Sequence, residues 1–148
     1  MISEQLSKVE TSKLRALADL LDTVPAERFD LLDWVGPKSE CGFVGCAVGW
    51  AAHFRIFPGL KLDYGENHHG GYESSVVYMD GENVWVGWEA VQMLFGLAQE
   101  EAVFLFSVQA YDPDYNQPSD AACNLRQFAS EVEGRLKLNQ VIKLASAA

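Results

Sequence analysis

The run Cys41–His53, CGFVGCAVGWAAH, constrains this chain more than any other stretch. Apart from its closing histidine it contains only apolar and small residues, three of them glycines: Gly42, Gly45 and Gly49. The pattern predicts a helix from Cys41 to about Phe54, closed by Pro58-Gly59. Each glycine inside a helix costs about 0.5–1 kcal/mol relative to alanine, so a helix with this composition does not form on a surface. Cys41, Gly45 and Gly49 stand at i, i+4 and i+8, with Ala52 and His53 continuing the stripe. Small side chains in such a row let another helix, or the indole of Trp34, approach closely and gain dispersion energy. The expectation is a buried central helix around which the rest of the chain packs.

That run is too short to cross a bilayer, which takes about 20 apolar residues. Met1–Glu10 carries charge where the apolar region of an export signal would begin. Three cysteines, Cys41, Cys46 and Cys123, are then expected as reduced thiols in a cytoplasmic protein. A chain of 148 residues with no repeat, low-complexity tract or flexible linker reads as one domain, 1–148. With 49% apolar residues it has enough to bury a core without staples.

The flanking segments place the other elements. Leu6, Val9, Leu14, Leu17, Leu20 and Leu21 share a face of a helix expected over Ser3–Leu21, stopped by Pro25. Ala26–Arg28 reads as a turn before the apolar anchors Phe29, Leu31, Leu32 and Trp34. Asp63–Gly71 reads as a polar loop holding His68 and His69. Ser74–Met79 and Val84–Val86 are β-branched and aromatic, and Asp80-Gly81 between them signals a tight hairpin turn. A two-stranded ribbon is marginal alone and must pack on helices. Helices are expected over Trp88–Phe95, with Gly96 ending it, over Gln99–Phe106, with Glu100 and Glu101 in its first turn, and from Ser119 to about Leu136. The fold expected is α+β: a mainly helical single domain with a small antiparallel β-hairpin at about Ser74–Val86, packed on the glycine-rich helix Cys41–Phe54.

Charge narrows the partners. The net charge is −10, and no cluster of Lys or Arg exists to neutralise phosphates, so direct binding to DNA or RNA is not expected. The imbalance concentrates in Cys41–Ala110, where Asp63, Glu66, Glu73, Asp80, Glu82, Glu89, Glu100 and Glu101 face only Arg55 and Lys61. A partner for this region is expected to be a basic protein surface. The four tryptophans are compatible with a filled core or with an aromatic patch that joins two copies.

Three constellations bear on chemistry. Cys41 opens the expected helix, where the helix N-terminus would lower its thiol pKa, and His68 or His69 precedes the hairpin. Papain-like and NlpC-type cysteine peptidases share that order, giving Cys41 with His68 or His69 as the alternative of a Cys-dependent hydrolase. No third orienting residue can be named. Cys41, Cys46, His53, His68 and His69 could be metal ligands by type. Cys41 and Cys46 diverge by about 140° on a helix, however, and no C-x-x-C or H-x-x-x-H pair occurs, so neither metal nor cofactor is expected. Tyr111, Asp112, Asp114 and Tyr115 form an acidic, aromatic loop suited to a protein interface; EF-hand spacing is absent.

Phe29-Asp30-Leu31, Trp34 and Cys41–Ala51 together resemble a pattern in small uncharacterised bacterial and phage proteins. In that pattern a Phe-Asp and a Trp precede Cys-Gly, a small residue, a second Cys, Gly, Trp or His, and Ala. Leu94–Leu97, Glu100–Ala102 and Leu105-Phe106 continue the likeness, while Phe43 replaces the Thr or Ser expected after Cys-Gly. The resemblance implies one fold over roughly residues 29–106 and a prokaryotic or phage setting, and no named activity. The leading functional expectation is an acidic interaction module. Its specific form is an inhibitor that presents carboxylates to a basic or nucleic-acid-binding host protein. A small-molecule binder with a pocket beside the glycine stripe is the remaining alternative.

Overall fold

The computed structural model describes residues 6–29, 46–66, 72–107 and 117–147. Five α-helices and a three-stranded antiparallel sheet account for most of them. A 3-10 turn, Leu6–Lys8, leads into α1, Thr11–Leu21. A second 3-10 turn, Ala26–Arg28, follows Pro25. Then come α2, Ala47–His53; strands β1, Leu60–Glu66, β2, Tyr72–Asp80, and β3, Asn83–Val86; and helices α3, Trp88–Phe95, α4, Gln99–Phe106, and α5, Pro118–Ala147.

The longest packing seam joins α1 and α5. Leu14, Leu17, Ala18 and Leu21 repeat at helical spacing on α1; Ala121, Ala122, Leu125, Phe128, Ala129 and Val132 do so on α5, and all are buried. Polar pairs along the edge fix the direction. Arg15 donates to Glu133 and Ser130 at 3.0 Å each, whereas Arg126 reaches Asp19 at 2.8 Å and also pairs with Asp22. Rising numbers on α1 meet falling numbers on α5, so the two helices are antiparallel. The Arg126 guanidinium, by hydrogen bond first, holds the Asp22 carboxyl below its ordinary range. These pairs are solvated, so they set register more than they add stability.

From Cys46 to Ala52, the described part of the glycine-rich segment before His53 lies in the core, but the helix is shorter than expected. Residues 47–52 are all buried. The helix begins at Ala47, with Cys46 in extended conformation as its N-cap, its Sγ accepting the Gly49 N–H at 3.5 Å. The expected start at Cys41 is therefore corrected by about two turns. Trp50 anchors α2 by donating its indole N–H to the Arg28 carbonyl at 3.0 Å.

The hairpin β2–β3 closes through the two-residue loop Gly81-Glu82, with Asp80 opposite Asn83 and Gly81 at φ 61°. A positive φ at the first loop position is what a glycine after aspartate supplies. A third strand accompanies it. Leu60–Glu66 pairs with β2 from Leu60–Tyr78 to Glu66–Tyr72, so the stretch from Asp63 read as the beginning of a polar loop is strand. Leu60, Leu62, Val76, Tyr78 and Trp85 face the helices, and Tyr78 stacks on Trp85 at 5.7 Å.

The ends of α3 and α4 behave as their sequences indicate. Gly96 terminates α3 in the left-handed region, φ 67° and ψ 37°. Glu101, only 1% exposed, accepts the Ala98 N–H at 2.8 Å and so satisfies a donor at the start of α4. Replacing Glu101 with Ala deletes that buried acceptor and is expected to cost about 1–3 kcal/mol. Glu101→Gln, which keeps an acceptor oxygen, should lose clearly less in urea unfolding. Equal losses for the two would show that volume, not the hydrogen bond, is what Glu101 contributes.

α5 runs eleven residues past the Leu136 end expected from its core face. Beyond Val132 only Leu136 is partly buried, and Leu138, Val141, Ile142 and Leu144 are exposed.

Candidate binding surfaces

The residues singled out for chemistry from sequence, Cys41, His68 and His69, lie outside the described residues, as do Tyr111, Asp112, Asp114 and Tyr115. The geometry of α2 nonetheless removes one argument for a nucleophile. The cap of α2 is Cys46, so Cys41 does not occupy the N-terminus of that helix. Cys46 is itself buried, its sulfur engaged in capping. His53 sits at the opposite end of α2, packed edge-on against Trp50 at 5.8 Å and Phe54 at 5.2 Å. Seven residues of helix separate the two by roughly 10 Å, too far to share one ion. Among the described residues no group of three or more His, Cys, Asp or Glu side chains is placed to hold a metal.

Two surfaces carry a pattern. The first is the outer face of the sheet. Register places Val77, Met79, Val84 and Val86 together on it, with Lys61 and Asp63 from β1 alongside. Val84 and Val86 are 54% and 53% exposed. Glu82 stands in the hairpin loop at the end of this face, while alternation puts Asp80 on the other face with Tyr78. Strand alternation normally puts polar residues on a solvated sheet face, and here four apolar side chains occupy it instead. The described part of β3 pairs with β2 alone, which leaves its other edge free among the described residues.

The second is a groove of about 600 Å³ between the end of α2 and the start of β1. Its wall includes His53, Arg55 and Lys61 over a base that includes Ala52, Phe57 and Leu60. The turn Phe54–Gly59 builds it. Arg55 donates its backbone N–H to the Ala52 carbonyl and Ile56 to that of Ala51, both at 3.2 Å. This nested pair of bonds is the helix-terminating arrangement that places one residue in the left-handed region. That residue is Arg55, at φ 55°, the only non-glycine with positive φ among the described residues. Gly59, at φ 84°, then lets its carbonyl accept the Met79 N–H at 3.0 Å; a Cβ there would collide with the Met79 carbonyl oxygen. The described lining offers one imidazole, one guanidinium and one ammonium, and no carboxylate.

The sequence signal for the groove was the scarcity of cations. Arg55 and Lys61 are the two positive residues of Cys41–Ala110, and both line it. No helix of the described residues is long and apolar enough to cross a membrane. No protein-family model, curated protein or solved structure matches this chain.

Proposed function

We propose that this protein is a non-enzymatic interaction module that engages a basic, amphipathic protein surface through the outer face of its sheet. The observation that carries the reading is the apolar quartet of half-buried Val77 and exposed Met79, Val84 and Val86, bordered by Asp63 and by Glu82 in the hairpin loop. Apolar area at the centre supplies affinity and carboxylates at the rim select a cationic partner. The net charge of −10 favours the same partner at long range. With the resemblance to small bacterial and phage proteins, this supports an inhibitor that covers a basic or nucleic-acid-binding surface of a host protein.

A cationic amphipathic peptide of alternating Lys and Leu serves as the probe. Wild-type protein is expected to bind it, and raising salt from about 0.05 M to 0.5 M should weaken binding at least tenfold as the charged rim is screened. Val84→Lys with Val86→Lys, both exposed and therefore tolerable to the fold, should weaken it by roughly tenfold or more, about 1.4 kcal/mol. Binding that the double substitution leaves intact would remove the sheet face from the reading. Binding indifferent to salt would remove the charge.

A further inference from the structure

We infer that the groove between α2 and β1 is a binding site for a small organic anion, a carboxylate or phosphate monoester on an apolar body, with Arg55 as its principal cation. This site adjoins the outer sheet face at Lys61, but Arg55 lies off that face and the inference does not depend on the reading of it.

The first observation is the backbone of Arg55. A residue with a Cβ in the left-handed region is strained, and at this position of a helix-ending turn glycine is the usual occupant. The nested backbone bonds of the turn hold this conformation, but the Arg55 side chain makes no hydrogen bond or ion pair among the described residues, so no contact of the guanidinium within the described fold calls for an arginine here. Backbone strain of this kind persists at ligand sites, where the side chain it carries is needed.

Its surroundings are the second observation. In a stretch with eight carboxylates and two cations, both cations and one imidazole line the same groove. The Lys61 ammonium also makes no hydrogen bond or ion pair among the described residues, and the described lining offers no carboxylate to neutralise either charge. A guanidinium binds carboxylate or phosphate with two parallel N–H donors, which fixes the orientation of the anionic group. Ala52, Phe57 and Leu60 give the ligand body an apolar floor.

Size is the third. A volume of about 600 Å³ lies within the range of small-molecule sites, about 300–1,000 Å³. It would accommodate an aromatic or short aliphatic acid. The protein's overall negative charge opposes anions at a distance, but screening limits that field to about 8 Å at physiological salt. Contacts inside the groove then decide affinity.

The test uses the full chain and four probes: phenyl phosphate, benzoate, inorganic phosphate, and benzyl alcohol as the neutral control. Isothermal titration and thermal unfolding should both report binding of phenyl phosphate or benzoate. The response should exceed that to inorganic phosphate, which has no apolar body, and to benzyl alcohol, which has no charge. The ranking of the two acids separates phosphate from carboxylate recognition. Arg55→Gly should raise the melting temperature of the free protein by about 2–4 °C by relieving the turn, while weakening the anion at least tenfold. Lys61→Ala should weaken it several-fold without the gain in melting temperature. The inference is overturned if wild type ignores all three anions at millimolar concentration, or if Arg55→Gly binds as wild type does. A melting temperature lowered by Arg55→Gly would overturn it too, since the arginine would then be serving the fold.

Discussion

Gly96→Ala is expected to cost roughly 3 kcal/mol or more, enough to leave a domain of ordinary stability partly unfolded. Two separate terms combine. Gly96 ends α3 at φ 67°, and a left-handed residue with a Cβ costs about 1–2 kcal/mol. The added Cβ would also be driven into the backbone carbonyl of Lys8, with the Val9 nitrogen close behind. A carbonyl held by the chain cannot swing aside as a side chain can, and forced overpacking adds about 1–3 kcal/mol. The contact matters because the segment leading into α1 is seated here. Glu10 donates its backbone N–H to the Phe95 carbonyl at 2.8 Å, and Lys13 donates its ammonium to the Leu94 carbonyl at 3.0 Å. Displacing Lys8 therefore pulls α1 off the end of α3. Gly81→Ala is the control: its φ of 61° is similar, but a Cβ there meets nothing within 4 Å, so it should lose only the backbone term. Urea unfolding followed by circular dichroism reads both. Similar losses for the two variants would mean that the Lys8 contact is not a constraint.

Much of this fold was legible where the sequence carries its own punctuation. Asp80-Gly81 marked the hairpin, Gly96 the end of α3, and Glu100-Glu101 the start of α4, because each residue type answers a specific backbone demand. The start of α2 was not legible. The residues before and after Cys46 are equally small and apolar, so periodicity cannot mark a boundary, and the cap is a thiol, a weak acceptor that sequence rules do not count among caps. β1 was missed for a different reason. Leu60-Lys61-Leu62-Asp63-Tyr64 alternates over only five residues before Gly65, and the strand exists because β2 offers it a partner. The extension of α5 past Leu136 has no core-facing residue to announce it, and rests on the helix-forming residues of its last turns. The groove shows the same limit. Counting charges isolated Arg55 and Lys61, but their meeting depends on a turn in which arginine occupies the place of glycine. A rule that expects glycine there cannot foresee it.

Phe95→Ala should be the most damaging side-chain truncation in the core, at about 3–5 kcal/mol. Phe95 is fully buried, stacks on Phe106 at 5.4 Å and meets Phe57 edge-on at 5.6 Å. It thus ties α3 to α4 and to the turn that follows α2. Truncation removes both ring contacts and leaves a cavity that three separate elements would have to close. Phe95→Leu keeps most of the volume and loses the ring contacts, so its cost should fall to about 1–2 kcal/mol. This milder variant has a second consequence. Phe57 lines the groove that Arg55 overhangs, and its ring is held upright by Phe95. With leucine behind it, Phe57 gains freedom and the apolar floor loses definition. Phe95→Leu should therefore bind phenyl phosphate more weakly than wild type while remaining folded, although residue 95 touches no ligand. Leu14→Val, an equally buried change on α1, should reduce stability by a comparable amount and leave the groove as it was. If both substitutions weakened binding in proportion to the stability they removed, the groove would be reporting global loosening, and its link through Phe57 to the core would have to be abandoned.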